Sequence, residues 1–305
     1  MRYPVPHPIP YQGSKRRLAP AILSFIPKNR FRRMIEPFAG SAAVTLAAAQ
    51  ANLCEEFLIA DVLQPLAALW AEIIEHPARL SHAYRKLWQS QFEGDSVSRY
   101  NEIRAAYNRA HDPAMLLFLL ARCVKNAVRF NPAGEFNQSA DKRRTGTHPD
   151  TIEKEIAGAH KLLKGRCRVV CGDFRTVLSK VGREDVIYMD PPYQGTSEGR
   201  DSRYFQGVPR CAIVDLLGSL NNKRVEFVLS YDGHCGDRTY GEALPADLNV
   251  QRVLLNVGRS SQATLNGRSA DTVESVYLSG GLALPGSPRE PMLLEHFAPQ
   301  MSLLT

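Results

Sequence analysis

The sequence contains no long apolar run. None of its hydrophobic segments approaches the roughly 20 residues with which a helix crosses a bilayer, so we expect no membrane partner. The opening stretch, MRYPVPHPIPYQGSKRR, also lacks the apolar centre of a secretory signal. We therefore expect a protein that is not exported and that works in the cytoplasm.

Cysteines are few and scattered. The six cysteines lie at positions 54, 123, 167, 171, 211 and 235, and no two of them form a CxxC pair. This spacing argues against a zinc site and favours reduced thiols in a cytosol. Cys167 and Cys171 share one face of a predicted strand, where we expect core packing and no bound metal.

Acidic residues are missing from the first 33 positions, which hold eight lysines or arginines. Residues 122–168 hold eleven basic residues against five acidic ones, and the whole chain carries a net charge of +7. Two separate basic segments suit a polyanion that is held from more than one side. Solvated surface charge also explains this composition, so charge alone does not distinguish the two.

The GxGxxG motif of dinucleotide-binding proteins is absent as well, which argues against a nicotinamide-dependent dehydrogenase. What is present is an alternation of short apolar runs and helical patterns. Strands are predicted at 33–38, 57–61, 167–173, 185–190, 226–231, 250–257 and 273–279. Helices are predicted at 41–51 and 209–222. This alternation predicts a doubly wound α/β fold, with a mostly parallel sheet covered on both faces.

The alternation is interrupted between Asp61 and Cys167. Helices are predicted there at 64–76, 78–90, 97–110, 113–129 and 151–164, with a polar, basic loop at 131–150. A helical block between successive strands of a sheet indicates a second domain. The predicted units are a catalytic domain (1–62 and 166–284), an inserted helical domain (63–165) and an irregular tail (285–305).

Three predicted strand ends carry residues suited to a ligand. In IEPFAGSAAVTLAAA (35–49), the chain turns through Gly40 and enters a helix for which Ser41 is a candidate N-cap. Asp61 and Asp173 each close a strand, where a carboxylate either accepts ribose hydroxyls or caps a helix. Phe174 places a flat side chain beside Asp173, an arrangement suited to an adenine ring.

The stretch DVIYMDPPYQG (185–195) ends a fourth strand. Pro191 and Pro192 fix two successive φ angles. The Asp190 carboxylate and the Pro191 carbonyl can then accept both hydrogens of one planar amine, which concentrates the lone pair on its nitrogen. Tyr193 offers a stacking face worth roughly 1–3 kcal/mol per base. This pattern predicts a clamp for a flat amine.

Four stretches in this order resemble the DNA adenine methylase (Dam-like, D12) class of amino-group DNA methyltransferases, in its α arrangement. They are PYQGSKRRLAPAI (10–22), EPFAGSAAV (36–44), KNAVRFNPAGEFN (125–137) with GDF (172–174), and DPPY (190–193). The resemblance implies a Rossmann-like methyltransferase sheet, S-adenosylmethionine as methyl donor and double-stranded DNA as substrate. It also implies a prokaryotic or phage origin and, for some members, a partner restriction endonuclease.

The resemblance also assigns the site residues. The implied catalytic residues are Asp190, Pro191, Pro192 and Tyr193. The implied cofactor residues are Tyr11, Lys15, Glu36, Pro37, Phe38, Gly40, Ser41, Asp61, Asp173, Phe174 and Asp190. Ala42 departs from the family pattern, which usually has a second glycine there, and the C-terminal strand TVESVYLS follows the family's ending only loosely.

The implied reaction is a direct in-line transfer to an adenine N6 that has been flipped out of the duplex. Predicted DNA contacts are Lys15, Arg122, Lys125, Arg129, Asn131, Lys142, Arg143, Arg144 and Tyr204. Arg122, Lys125 and Arg129 are expected on one helical face. Tyr204 and Phe205, in the loop 194–207, are candidates for a wedge or for ordinary packing.

Other functions remain open at this point. The same clamp can hold the N4 amine of cytosine, and the class resemblance favours adenine. An RNA or protein-amide methyltransferase more often carries Asn where this chain has Asp190. An inactive nucleic-acid-binding module on the same fold is the alternative of a different class. The recognition sequence and the oligomeric state are not predicted.

Overall fold

The computed structural model describes residues 4–192, 208–235, 238–240, 242–259, 271–285 and 292–294. Tyr193, Tyr204, Phe205 and the loop 194–207 lie outside these residues, so their predicted contacts stay predictions. No helix in the described ranges has both the length and the apolarity of a membrane span.

One sheet contains every strand that the structure describes. The strands are β1 (Arg33–Glu36), β2 (Glu56–Asp61), β3 (Cys167–Cys171), β4 (Asp185–Met189), β5 (Glu226–Cys235), β6 (Arg238–Tyr240), β7 (Val250–Arg259), β8 (Asp271–Ser279) and β9 (Met292–Leu294). Their order across the sheet is β3-β2-β1-β4-β5-β8-β7-β9, and β6 pairs with β5. All seven predicted strands are present.

The first five strands in this order, from β3 to β5, run parallel to one another. β8 runs antiparallel between β5 and β7. The predicted mostly parallel sheet is therefore confirmed. The prediction of an irregular tail is wrong at Met292–Leu294, which pairs with Val253–Leu255, because an unpaired strand edge leaves backbone N–H and C=O groups for another segment to bond.

Helices cover both faces of the sheet, as a doubly wound fold requires. The helices outside the block between β2 and β3 are α1 (Ala19–Ser24), α2 (Ala43–Gln50), α8 (Phe174–Val177) and α9 (Arg210–Lys223). On one face, Tyr188 and Val228 pack with residues of α1 and α2. On the other face, Ile187 and Leu229 pack with residues of α9. Adjacent strand residues thus belong to opposite cores, as the two-residue period of a strand dictates.

The block between β2 and β3 is helical, as predicted. It contains α3 (Gln64–Glu75), α4 (Pro77–Ser90), α5 (Ser96–Ala110), α6 (Pro113–Arg122) and α7 (Pro149–Leu163). Its buried Trp70, Tyr84 and Phe118 belong to the same hydrophobic cluster as α1 and α2. Division into a separate inserted domain therefore stays a prediction.

The predicted helix 113–129 is wrong beyond Arg122. Cys123 is extended, and Lys125 and Asn126 have positive φ angles of 60° and 53°. The Asn126 side chain donates a hydrogen bond of 2.8 Å to the carbonyl of Leu120, near the end of the helix. This bond satisfies a carbonyl that lacks an intrahelical donor and so favours termination.

Candidate active site

The strand order of the sheet reverses between β1 and β4, and we call the region at the carboxyl ends of β1, β2 and β4 the crevice. In doubly wound sheets, ligands bind outside the carboxyl ends of the strands at such a point. Glu36 closes β1 and Asp190 follows β4 directly. The structure therefore brings the ends of two predicted motifs to one place.

The turn after β1 is shaped around Gly40. This glycine has a φ of +47°, and a Cβ there would lie 3.0 Å from Cζ of the Tyr11 ring. The Trp70 indole N–H donates a hydrogen bond of 2.9 Å to the Gly40 carbonyl. Tyr11 thus lies close to the Gly40 backbone and brings the N-terminal segment to the crevice.

Ser41 is not the N-cap of α2, so that prediction is wrong. The cap position belongs to Ala42, whose φ of 44° and ψ of 36° are left-handed, and no side chain caps the helix. The Ser41 hydroxyl instead donates to the Ser14 hydroxyl at 2.9 Å. Left-handed backbone costs roughly 1–2 kcal/mol for a residue with a Cβ, which gives a physical reason for the glycine usual at position 42.

Asp61 connects the ends of β1 and β2. Its Oδ2 accepts the Gly40 N–H at 3.0 Å, and its Oδ1 accepts the Leu63 N–H at 2.9 Å. The N-cap position of α3 is Leu63, so the alternative of Asp61 as its N-cap is wrong. Burial raises the pKa of Asp61, and the two backbone hydrogen bonds oppose that rise.

Glu36 is buried, with 3% of its surface exposed. Its Oε2 accepts hydrogen bonds from the backbone N–H and the hydroxyl of Thr45, at 3.0 and 2.5 Å. Burial raises the pKa of Glu36 to about 8, Thr45 opposes the rise, and the charge of Asp190 adds to it. Glu36 therefore links β1 to α2, and its predicted contact with the cofactor stays a prediction.

Two aromatic rings line the crevice on the side of β3. Phe38 and Phe174 lie with their ring centroids 5.2 Å apart and their planes tilted by 37°. Asp173 accepts the Arg175 N–H at 2.9 Å and caps α8. The capping alternative for Asp173 is thus confirmed, and a role in binding an adenine ring stays a prediction.

Asp190 is joined to Lys15. The Lys15 Nζ, in a 3-10 turn (Lys15–Arg17), lies 3.1 Å from Oδ1 of Asp190 and 3.4 Å from Oε2 of Glu274. The Lys15 side chain is only 10% exposed. Burial raises the pKa of Asp190 to about 6, with Lys15 lowering it and Glu274 raising it. The structure thus brings Lys15, from the stretch 10–22, to Asp190 at the end of β4, and the predicted contacts of both residues with cofactor or substrate stay predictions.

Glu274 is a member of this cluster that the sequence reasoning missed. It lies in β8, in a stretch that follows the family pattern only loosely. The available signal was the alternation in TVESVYLS, where a glutamate occupies a position otherwise taken by core residues. That signal says only that the acid faces inward and names no partner.

The predicted DNA contact of Arg122 is wrong. Arg122 is 2% exposed, and its guanidinium donates to the Gln91 side chain at 3.0 Å and to the Asp141 carbonyl. Because α6 ends at Arg122, this residue does not share a helical face with Lys125 and Arg129. Arg122 instead fastens the basic loop to the helices beneath it.

Six of the other predicted DNA residues, between positions 125 and 144, lie in or next to that loop. Lys125, Lys142 and Arg143 are exposed, and Arg129 is half-buried. Arg144 pairs with Asp141 at 2.7 Å. Asn131 accepts the N–H groups of Ala133 and Glu135 and so holds a turn. Contact of any of these residues with DNA stays a prediction.

Comparison with known proteins gives a consistent result. A family model described as "D12 class N6 adenine-specific DNA methyltransferase" matches residues 11–235. The chain is 34% identical over 185 residues to the "DNA N-6-adenine-methyltransferase" of Escherichia phage P1, covering 60% of this chain. It is 26% identical over 198 residues to the "Type II methyltransferase M.MjaIII" of Methanocaldococcus jannaschii, again covering 60% of this chain.

A third relative, the "DNA adenine methylase" of Haemophilus influenzae, is 24% identical over 253 residues. That match covers 79% of this chain and 85% of the relative. The matches to the other two relatives cover 23% of the phage protein and 68% of M.MjaIII. This chain thus spans about a quarter of the phage relative's length.

Proposed function

Since this chain belongs to the D12 class of N6 adenine-specific DNA methyltransferases, we propose that it methylates the N6 amine of adenine in double-stranded DNA, with S-adenosylmethionine as donor. The observation that carries the proposal is the meeting of Asp190 with Lys15 at the switch point of the sheet. That meeting joins the amine clamp to the crevice in which such folds hold nucleotide-like ligands.

The crevice residues fit S-adenosylmethionine by their chemistry. When bound, the cofactor supplies a methyl group already activated on a sulfonium. Asp61 would accept hydrogen bonds from the ribose hydroxyls of the cofactor and would give up one of its two backbone hydrogen bonds to do so. Phe38 and Phe174 would contact the adenine of the cofactor. Gly40 leaves room that a Cβ would fill. The site would be completed by Tyr11, Lys15, Glu36, Pro37 and Ser41.

Asp190 and Pro191 would hold the target amine. Asp190, with a pKa of about 6, is ionised at neutral pH and acts as an acceptor. Pro191 and Pro192 stiffen the backbone that carries the second acceptor, the Pro191 carbonyl. With both amine hydrogens engaged, the nitrogen lone pair is less delocalised into the ring and is directed at the methyl group. Tyr193 would stack on the base.

The basic loop would hold the DNA. Lys125, Lys142 and Arg143 are exposed cations on one connected region, and Arg129, Asn131, Arg144 and Tyr204 would contribute further contacts. Phosphate neutralisation by such residues makes binding steeply salt-dependent. We also propose that the helical block acts as a target-recognition domain and that the protein works in the cytoplasm, with a cognate restriction endonuclease as a candidate partner.

The test is direct identification of the product. Purified protein would be incubated with S-adenosylmethionine and DNA lacking methylated adenine, and the DNA digested and analysed by mass spectrometry. We expect N6-methyladenine at one flanking sequence and none with Asp190→Ala. N4-methylcytosine would contradict the proposed substrate. No product, together with no heat of cofactor binding in calorimetry, would indicate an inactive DNA-binding module.

A further inference from the structure

We propose that Glu274 is a positioning residue for methyl transfer, acting as a second counter-ion to Lys15 so that Asp190 remains available to the target amine. This inference rests on the proposed function and adds a residue that lies outside the region matched by the family model. The supporting observation is the ammonium of Lys15, held between the two carboxylates at 3.1 and 3.4 Å.

The strand pattern places both acids on one face of the sheet. Tyr188 and Val276 belong to the same hydrophobic cluster. Side chains two positions apart on a strand extend from the same face. Asp190, two residues after Tyr188, and Glu274, two residues before Val276, therefore extend from that face, toward the N-terminal segment that carries Lys15.

The direction of β8 places both acids at one edge. The last pair between β4 and β5 is Met189 with Leu229, and Glu274 pairs with Gly233, four residues further along β5. Because β8 is antiparallel to β5, its beginning lies at the carboxyl ends of the parallel strands. Glu274 thus reaches the active-site edge even though it comes from a strand on the far side of β5.

Charge gives this arrangement a function. A lysine paired with Asp190 alone would occupy the lone pairs that the target amine needs. Glu274 supplies a second acceptor for the three Nζ hydrogens. Two carboxylates and one ammonium also leave a net negative charge, which favours the positive charge that the amine nitrogen gains as its bond to the methyl carbon forms and the carbon–sulfur bond breaks. The surplus proton then leaves to Asp190 or to water.

The titration of Asp190 reports on this arrangement. Among the residues that the structure describes, the charged or titratable groups around it are Lys15 in the N-terminal turn, Glu36 on β1, Tyr188 on its own strand and Glu274 on β8. Lys15 lowers the pKa of Asp190, and Glu274 raises it. Removing the charge of Lys15 should therefore move the acid limb of the activity profile to higher pH, and removing the charge of Glu274 should move it to lower pH.

The experiment measures the pH dependence of kcat/KM on DNA for wild type, Glu274→Gln and Lys15→Gln. We expect an acid limb near pH 6 in wild type, a lower limb in Glu274→Gln and a higher limb in Lys15→Gln. At pH 8, kcat of Glu274→Gln should fall on the order of ten-fold, with cofactor affinity unchanged. Glu274→Asp should recover part of the loss.

Glu184→Gln is the matched control. Glu184 is an exposed acid at the opposite edge of the sheet, 3.7 Å from Arg32, and its change should leave the limb in place. An unshifted limb in Glu274→Gln would overturn the inference while leaving the proposed function intact, even if kcat fell. If Glu274→Gln does not fold, Glu274→Ala is measured in its place, and an unshifted limb in that variant overturns the inference in the same way. An inactive wild type would instead refute the proposed function.

Discussion

The backbone N–H of Gly40 donates a hydrogen bond of 3.0 Å to Oδ2 of Asp61. This bond joins the turn after β1 to the end of β2 and holds the carboxyl ends of these two neighbouring strands together. The second oxygen of Asp61 accepts the N–H of Leu63 at 2.9 Å. Asp61 thus organises the crevice before any ligand enters it.

Replacing Asp61 with Asn should weaken cofactor binding. The amide is close to the carboxylate in shape, but it carries no charge and turns an NH2 group toward one of the two backbone donors. We expect affinity for S-adenosylmethionine in calorimetry to fall on the order of 10–100-fold. Asp150→Asn, on the surface of α7, is the control and should bind like wild type. Wild-type affinity in Asp61→Asn would contradict the proposed ribose contact.

Replacing Asp190 with Ala should abolish methyl transfer and preserve cofactor binding. The variant removes one of two acceptors for the amine, whereas Lys15 keeps Glu274 as a partner. We expect the single-turnover rate to fall by at least about a thousand-fold, and the cofactor Kd to stay within a few-fold. Full activity in this variant would refute the amine clamp.

Replacing Gly40 with Ala should destabilise the fold. The added Cβ would meet the Tyr11 ring at 3.0 Å, and the φ of +47° is unfavourable for alanine. We expect the free energy of unfolding to fall by about 1–3 kcal/mol. Gly94→Ala is the control, because Gly94 has no neighbour within 4 Å of a Cβ. Equal denaturation midpoints for the two variants would contradict the steric account of Gly40.

Arg122 and Lys142 should separate folding from DNA binding. Arg122→Ala leaves the Gln91 side chain and the Asp141 carbonyl without a buried donor. It should lower the free energy of unfolding by about 2–4 kcal/mol. Lys142→Ala, at an exposed position, should change stability by less than about 0.5 kcal/mol. Urea unfolding of both variants measures the difference.

In DNA binding, by contrast, Lys142→Ala should have the larger effect and Arg122→Ala the smaller one. Lys142→Ala should reduce the slope of log Kobs against log salt by about 1, as one lost phosphate contact does. Folded Arg122→Ala should keep the wild-type slope. A reduced slope in Arg122→Ala alone would restore Arg122 as a DNA contact and contradict the role that its burial indicates.

Glu36 should make stability depend on pH. Its pKa is raised from 4.5 to about 8 in the folded protein, so the folded state binds its proton more tightly than the unfolded chain does. The resulting stabilisation is fully present below about pH 4.5 and is lost as pH rises toward 8, with a slope of at most about 1.4 kcal/mol per pH unit.

Glu36→Gln isolates this effect. Glutamine keeps an oxygen that accepts the two Thr45 hydrogen bonds, and it does not titrate. The free energy of unfolding of both proteins would be measured at pH 5, 6, 7 and 8. We expect the stability of wild type relative to Glu36→Gln to decrease as pH rises. A difference independent of pH would show that Glu36 keeps an ordinary pKa.

Local patterns were enough to predict most of the architecture. Runs such as DVIYMD and FLIAD are short, apolar and bounded by turn-forming residues, so their strand propensity agrees with their buried places in the sheet. The alternation with helices determined the doubly wound arrangement. Gly40, Asp61 and Asp190 were expected at one edge because the carboxyl ends of parallel strands meet there, whereas only the family resemblance assigned Lys15 to the same site.

Tertiary contacts decided what local pattern could not. The apolar period of α6 continues past Arg122, yet the helix ends there because Asn126 bonds back to Leu120. Ser41 has the chemistry of an N-cap, but Ser14 from the N-terminal segment takes its hydroxyl. A spacing of three and four predicts a shared helical face for Arg122, Lys125 and Arg129 only while the helix continues.

By itself, the sequence determined the strands and the winding of the sheet, because these depend on periodicities and turn chemistry within a few residues. Only the tertiary structure decided that Arg122 is buried and that Glu274 faces Lys15. Both outcomes depend on which distant segments meet. For Glu274 the deciding factor is the antiparallel direction of β8, which carries a residue far along the chain back to the edge where Asp190 ends its strand.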